Sequence, residues 1–262
     1  MKHQRIESFD DVLSPALDIY IIARPSFLFD NFTTFLSSSG TTWKSENASD
    51  AELLIEAAGR ICYMSFGAKQ FRQDNKAYLS NLIESGHESV LEHASWSFLF
   101  TGVSRAFTHQ LVRHRVGFSF SQLSQQYHDE SETLFVAPAE IRSDPELLSV
   151  WAAAMRDTRD TYKTLLNRMK DRSSYGRKEM LRALRSAARS ALPNCTETKL
   201  VVTANARALR HFLKVRGAIE GDIEMREVSA KLLQLLQSET ANLFSDFAID
   251  THLDGFPIVR GK

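Results

Sequence analysis

The sequence predicts an α+β protein, a single domain over residues 1–262 with a small sheet and long helices. Short extended segments are few and are interspersed with helical patterns, and the last third is helical. No internal repeat or low-complexity stretch occurs. Because no linker divides the chain, one domain is expected.

Three segments predict strands. Asp18–Ala23 is an apolar run that we interpret as a buried strand. In Ser95–Phe100 the aromatic residues fall on even positions, which is typical of a strand with one buried face. Lys199–Thr203 predicts a short strand or extended segment. The sheet is therefore expected to be small.

Capping signals mark the first helices. Ser49–Glu52 is a capping box that opens a helix through about Cys62. A second helix over Asn75–Ser85 stops at Gly86, as a C-terminal cap would. Ser104 then caps a helix that runs into the segment RHRVGFSFSQLSQQY, residues 113–127.

Apolar spacing predicts the later helices. From Asp144–Pro145, a long amphipathic helix carries apolar residues at spacings of three, four or seven, namely Leu147, Trp151, Met155, Tyr162, Leu165 and Met169. Ser173–Gly176 breaks it, and a basic helix follows over Arg177–Ala191, ended by Pro193. The last third shows one apolar stripe made by Val228, Leu232, Leu235, Leu236 and Leu243.

Composition limits the function classes. The 32 Lys and Arg residues balance 32 Asp and Glu residues, which argues against a broad nucleic-acid-binding face. Cys62 and Cys195 are too few for a secreted disulfide framework. No apolar run has the length of a membrane span or signal segment. We expect a cytoplasmic protein without nucleic-acid or membrane partners.

Common cofactor and metal motifs are missing from the sequence. It contains no G-x-G-x-x-G after a strand, no G-x-x-x-x-G-K-[ST], no C-x-x-C and no H-E-x-x-H. His87, Glu92 and His93 are conceivable metal ligands, but no cysteine or clear further partner lies nearby, and no metal is expected. Cys195 is either a nucleophile or, as such cysteines more often are, a small buried hydrophobe.

Arginine is the most informative residue type. Arg105 and Arg113 are eight residues apart, so a continuous helix would place them on one face with His109. A second group comprises Arg189, Arg207, Arg210 and Arg216. Guanidinium groups bind phosphate through paired hydrogen bonds, so two groups around a polar, aromatic loop indicate nucleotide binding. The alternative is that these arginines form ordinary surface ion pairs.

The segment from Arg113 to Tyr127 resembles the signature of the flavin-dependent thymidylate synthases, an R-H-R followed after seven residues by a serine in a Q/E-L-S-x-R-Y run. Four further blocks resemble the family in order: Gly86–His93, Leu192–Thr198, Asn205–Phe212 and Val215–Arg216. Together they cover roughly residues 50 to 250.

The resemblance implies a homotetramer with active sites between subunits. It implies FAD, NADPH as reductant, methylenetetrahydrofolate as carbon donor, and a uridine nucleotide, dUMP or UMP, as substrate. By matching position, the FAD contacts would be Ser89, Arg113, His114, Arg115, Gln122, Asn205, Arg207 and His211. The nucleotide contacts would be Gln110, Arg113, Gln122, Leu123, Ser124, Gln125, Gln126 and Arg189, with Arg105 a further phosphate candidate.

Arg216 matches the family residue assigned to catalysis. Charge that develops on the O2 and N3 side of uracil needs a preorganised cation, which Arg216 would supply. The rival interpretation is a structural ion pair with Asp222 or Glu224. Ser124 has no histidine and acid that order it as a nucleophile, so we assign it to phosphate or ring binding.

Three departures from the family pattern surround the expected ligands. Eight residues instead of seven separate Arg115 from Ser124, with Gly117 available to absorb the extra one. Gln126 stands where the family usually has arginine, and Glu220 where relatives usually have histidine. These changes suggest a specialised enzyme acting on UMP, with neutral drift in a dUMP enzyme as the alternative. A non-catalytic nucleotide- or RNA-binding relative is the other class.

Overall fold

Four strands form one sheet in the order β1-β2-β4-β3, as seen in a computed structural model that describes residues 9–172 and 178–261. They are β1 (Asp18–Ala23), β2 (Ser95–Ser104), β3 (Phe118–Gln122) and β4 (Glu197–Asn205). A separate hairpin pairs β5 (Phe247–Thr251) with β6 (Pro257–Gly261), antiparallel, with Ile249 opposite Val259. The mixed helix-and-sheet class predicted from the sequence is confirmed.

Nine α-helices occur within the described residues. They are α1 (Phe29–Ser38), α2 (Asp50–Tyr63), α3 (Asn75–Glu84), α4 (Arg105–Leu111), α5 (Ala139–Arg142), α6 (Pro145–Arg172), α7 (Lys178–Ala188), α8 (Ala206–Arg216) and α9 (Ile223–Glu239). Short 3-10 turns add Gly67–Lys69, Glu88–His93, Glu130–Glu132 and Arg189–Ala191. None of the described helices combines the length and apolar character needed to cross a membrane.

The chain groups into two compact units. Unit 1 contains the described residues of 1–18, 100–113 and 121–201, and unit 2 those of 19–99, 114–120 and 202–262. The prediction of one domain over residues 1–262 stays a prediction.

Unit 1 is built around α6. Tyr162 and Leu166 on this helix are fully buried with Ala188 of α7. The Tyr162 hydroxyl also accepts a hydrogen bond from the Glu130 backbone N–H at 3.2 Å. A second cluster packs Val12, Phe135 and Ala152. Burial of these side chains fixes α7 and the segment around residue 130 on the same helix.

Unit 2 has a polar core around α2. The helix begins with the predicted capping box, in which Ser49 accepts from the Glu52 N–H and Glu52 accepts from the Ser49 N–H. One turn on, the Arg60 Nε lies 2.6 Å from Glu56 Oε1, and both side chains are almost completely buried. The Glu56 carboxylate also accepts hydrogen bonds from the side chains of Trp43, Ser45 and Asn75.

Several local predictions are confirmed. Trp96, Phe98 and Phe100 are buried on one face of β2. The second helix ends before Gly86, which adopts a φ of +69°. Ser104 caps α4, since its Oγ accepts from the Phe107 N–H at 3.0 Å. The predicted break at Ser173–Gly176 and the start of the basic helix at Arg177 lie outside the described residues.

Other local predictions are wrong. β1 is an edge strand with β2 as its one neighbour in the sheet, and its Tyr20 and Ile22 side chains are exposed rather than buried. On α6, Leu147 and Leu165 are exposed, whereas Ala152 and Leu166 are buried. The C-terminal stripe is not one helix, because α9 ends at Glu239 and the β5–β6 hairpin follows.

Candidate active site

Helix α4 positions Arg105 beneath the QLSQQ segment, defined here as residues 122–126. Its Nη2 donates to the Leu123 carbonyl at 2.8 Å, while its Nε is buried without a hydrogen-bond partner in the described residues. Burial is the largest influence on the pKa of Arg105 and lowers it. The nearby Arg189 acts in the same direction, and Glu130 opposes it. The Arg105 guanidinium therefore binds the segment through Nη2, while its Nε donor has no partner in the described residues.

The QLSQQ segment leaves β3 and turns sharply. Gln122 Nε2 donates to Thr108 and Thr198 at 3.0 and 3.3 Å, and the Leu123 N–H donates to the Lys199 carbonyl at 2.9 Å. The Ser124 carbonyl accepts from the N–H groups of Tyr127 and His128. Backbone and side-chain hydrogen bonds thus hold the segment in this conformation.

Gln125 is a buried donor within this segment. It is 7% exposed, yet its Nε2 has no partner among the described residues. An unsatisfied buried amide costs about 1 to 3 kcal/mol unless water or a ligand completes it. The residue therefore fits the predicted role of a nucleotide contact.

Helix α7 adds two arginines that sequence reasoning missed. Arg182 Nε donates to Gln126 Oε1 at 3.0 Å, and its guanidinium lies 5.1 Å from the centre of the Tyr127 ring. Arg185 donates to the Tyr127 carbonyl at 2.7 Å and lies 3.7 Å from Asp129. Their i, i+3, i+7 spacing with Arg189 is the signal that would have found them.

Arg113 does not share the helical face predicted for it. Helix α4 ends at Leu111, so Arg113 lies beyond it and folds back, with its Nε donating to the His109 carbonyl at 3.2 Å. Arg113 and Arg115 are exposed, whereas Gln110, Ser124 and Arg189 are half-buried.

In unit 2, His114 and Arg216 form a direct pair. Arg216 Nε lies 3.1 Å from His114 Nε2. Because the arginine can only donate, His114 Nε2 must be unprotonated and accept. Burial lowers the pKa of His114, and Arg216 and then His211 lower it further. In the described part of the chain no carboxylate pairs with Arg216, so the rival ion pair with Asp222 or Glu224 is not formed.

Gly117, which is expected to absorb the extra residue of the signature, has a backbone conformation that favours glycine. Its φ is +75°, and a Cβ there would lie 2.8 Å from Ala208 Cβ and from Asn205 Nδ2. The Asn205 N–H donates to the Gly117 carbonyl at 3.2 Å, while Asn205 Oδ1 caps α8. Phe118 and Phe120 stack beyond it with ring centres 5.6 Å apart. Gly117 thus allows the RHR segment to approach the start of α8.

Two cavities adjoin the expected flavin residues. The larger, about 580 Å³, is lined by Arg207, His211 and Lys214 among others. The smaller, about 320 Å³, is lined by Ser89, His87 and also by Arg207. Arg207 pairs with Glu92 at 2.6 Å and Glu88 at 3.6 Å, which keeps its guanidinium between the two cavities. Cationic and hydrogen-bonding groups line both cavities, and such groups are suited to a ligand that carries a pyrophosphate.

The metal and thiol candidates of the sequence lie within the described residues. No group of three or more His, Cys, Asp or Glu side chains in residues 9–172 and 178–261 could hold a metal ion. Cys195 is half-buried, with its Sγ 3.4 Å from Met155 Sδ in an apolar cluster. Cys62 is exposed. The interpretation of Cys195 as a small packed side chain accounts for its contacts.

The residues predicted to bind the nucleotide and most of those predicted to bind the flavin belong to different units. The nucleotide candidates all lie in unit 1, namely Arg105, Gln110, Arg113, the QLSQQ segment and Arg189. Of the flavin and catalytic candidates, those in unit 2 are Ser89, His114, Arg115, Asn205, Arg207, His211 and Arg216. Within each unit the structure brings most of them into one neighbourhood.

Comparison with known proteins assigns the class. The family model described as thymidylate synthase complementing protein matches residues 45–240. The chain therefore belongs to the flavin-dependent thymidylate synthase family, and it is a methyltransferase enzyme.

Individual relatives place the chain within this family. It is 43% identical to the flavin-dependent thymidylate synthase of Mycolicibacterium gilvum over 226 residues, which covers 85% of this chain and 90% of the relative. Identity to the enzyme of the same name from Corynebacterium aurimucosum is 40% over 243 residues, or 91% and 94% of the two chains. The fold resembles the UMP/dUMP methylase PolB of Streptomyces cacaoi bound with 5-Br dUMP, with a TM-score of 0.63 and 19% identity over 89% and 95% of the chains.

Proposed function

We propose that this protein methylates C5 of dUMP to form dTMP, with FAD as cofactor, methylenetetrahydrofolate as carbon donor and NADPH as reductant. The observation that carries the proposal is the Arg216–His114 pair, which holds a guanidinium without a carboxylate partner in the described structure. An uncompensated cation next to a neutral acceptor is preorganised for developing negative charge. We also expect a homotetramer with active sites formed between subunits.

Arg216 would activate the pyrimidine. The C5 atom becomes nucleophilic when the pyrimidine is polarised, and a guanidinium at O2 and N3 would stabilise the negative charge that develops on that side of the ring. The C5 proton must then leave as the new carbon bond forms. His114 keeps Arg216 in place through its neutral Nε2 and so acts on the substrate through the arginine.

The FAD would be held by the residues around the two cavities and the RHR segment. Arg207 and His211 supply donors at the larger cavity, and Ser89 does so at the smaller one. When bound and reduced by NADPH, FAD would supply the hydride that converts the transferred one-carbon unit to a methyl group. NADPH would supply the reducing equivalents for each turnover.

The nucleotide would be held by the QLSQQ segment with Arg105 and Arg189. Arg105 has a buried Nε and Gln125 a buried Nε2, each without a partner in the described structure, and these match acceptors on a phosphate and a pyrimidine. Their positions are fixed by backbone bonds from Leu123 and Ser124.

Two observations favour dUMP over the UMP hypothesis. The curated relatives at about 40% identity are thymidylate synthases. Gln126 bonds directly to Arg182, so the loss of an arginine at position 126 does not leave this region without a cation. UMP is the competing substrate, because the sequence departs from the family pattern at Gln126 and Glu220.

Release of tritium from C5-labelled dUMP and UMP tests the function. The protein is assayed with FAD, NADPH and methylenetetrahydrofolate, and each component is omitted in turn. We expect release that requires the flavin and prefers dUMP. Preference for UMP would replace the substrate assignment, and flavin-dependent release from neither nucleotide would contradict the enzyme mechanism and favour a binding-only relative.

A further inference from the structure

Arg182 differs in its ion pairing from three other arginines of unit 1. Arg156 and Arg159 pair with Asp11, and Arg185 pairs with Asp129. Arg182 has no carboxylate within 4.0 Å among the described residues; its one hydrogen bond there is from Nε to Gln126. Its two terminal nitrogens are therefore available to a ligand.

The Arg182 side chain is nonetheless oriented. Gln126 Oε1 accepts from Nε, while Gln126 Nε2 lies 3.4 Å from Ser186 Oγ one turn further along α7. The ring of Tyr127 lies against the guanidinium plane at 5.1 Å, a cation–π distance. An exposed arginine that is held on two sides has lost much of the rotamer freedom that weakens surface contacts.

The surroundings of Arg182 indicate an anionic ligand. Arg189 lies seven residues along the same helical stretch, about two turns away, and likewise has no described carboxylate partner. The buried and unpartnered Gln125 Nε2 belongs to the segment that Arg182 contacts. Oriented guanidinium groups without counterions are suited to a phosphate monoester, which accepts paired hydrogen bonds.

We propose that Arg182 anchors the phosphate of the nucleotide substrate through its terminal nitrogens, with Gln126 as its positioning residue. The inference rests on the proposed function, since it assumes a uridine nucleotide at the QLSQQ segment. In this chain the anchoring charge comes from α7, and the side chain at position 126 directs that charge. An arginine at position 126 would then make the phosphate contact that Arg182 makes in this chain.

Affinity for a nucleotide and for its nucleoside tests the anchor. Flavin-loaded wild type, Arg182→Gln and Gln126→Ala are titrated with dUMP and with deoxyuridine, which lacks the phosphate. We expect Arg182→Gln to weaken dUMP binding about tenfold, as for loss of an exposed charge-assisted contact, and to leave deoxyuridine binding unchanged. Gln126→Ala is expected to raise KM for dUMP more than it lowers kcat. Arg168→Gln removes an exposed charge from α6 and serves as the matched control.

The double variant Arg182→Gln with Gln126→Arg separates anchoring from structure. A guanidinium at position 126 should restore most of the dUMP affinity lost in the single variant. Equal weakening of dUMP and deoxyuridine binding, or no weakening at all, would overturn the anchor. If wild type turns over dUMP and Arg182→Gln binds dUMP with the same affinity, this inference is wrong but the proposed function stands. If wild type does not turn over dUMP, the proposed function itself is wrong.

Discussion

Arg216 Nε and His114 Nε2 lie 3.1 Å apart, and the direction of this hydrogen bond fixes the protonation state of the histidine. The pair connects the RHR segment to the last residue of α8. Because the described structure gives Arg216 no carboxylate partner, its orientation depends on a group that can titrate near neutral pH.

Acidification should therefore lower activity through His114. Burial, Arg216 and His211 place its pKa below the usual value of about 6.5. The unfolded chain binds this proton more readily, so the stabilising effect of neutral His114 is complete above about pH 6.5 and declines as the pH falls toward the lowered folded pKa. We expect kcat/KM to drop at acid pH in wild type and less so in His114→Gln, whose amide oxygen accepts without titrating. An identical acid limb in both proteins would contradict this assignment.

Removal of the Arg216 guanidinium should affect the chemical step. We expect Arg216→Ala to lower kcat by about 100-fold or more, as for loss of a preorganised donor at a developing charge. Tritium release gives kcat, and flavin absorbance checks that the cofactor is still bound. Arg168→Ala removes a charge from an exposed position of α6, outside the expected site, and should retain a large fraction of kcat. A parallel loss of bound flavin would indicate a cofactor-holding role instead.

The buried ion pair of α2 should dominate the stability of its neighbourhood. Arg60→Ala leaves Glu56 buried and charged, although three neutral donors remain, so we expect a loss of about 3 to 5 kcal/mol in the free energy of unfolding. Urea unfolding measures the change. Lys69→Ala, at an exposed position, should change it by less than about 0.5 kcal/mol. A similar small change in Arg60→Ala would show that the pair is dispensable.

Gly117 should be intolerant of any side chain. Gly117→Ala combines an unfavourable φ of +75° with contacts of 2.8 Å to Ala208 and Asn205. Gly40 has a φ of +65° with open space around it, so Gly40→Ala shows the backbone cost alone. We expect Gly117→Ala to lose about 1 to 3 kcal/mol more than this control in thermal or urea unfolding. Equal losses would mean that the surrounding helix start adjusts freely.

Local signals in the sequence were sufficient for much of the fold. The Ser49 capping box, the Gly86 stop and the alternating aromatics of β2 each depend on residues within a few positions of one another. The interactions that form these features lie within a single turn or strand, so the local sequence pattern is enough to predict the cap, the helix end or the buried face. The family signature was likewise readable, because it is a contiguous run.

Positions that depend on distant partners were not predictable in this way. Asp18–Ala23 has the same apolar run whether it lies at the edge or the centre of a sheet, and only the strand order made it an edge. The periodicity of α6 did not reveal that Leu166 rather than Leu165 faces α7. The end of α4 at Leu111 likewise removed the helical face proposed for Arg113.

The sequence by itself determined the family and the α+β class and gave candidate site residues, although it missed Arg182 and Arg185. Tertiary structure decided how those residues are paired: His114 with Arg216, and Gln126 with Arg182. Each of these pairs joins residues more than fifty positions apart. Such contacts are set by how helices pack, and packing depends on the whole core, which no local pattern encodes.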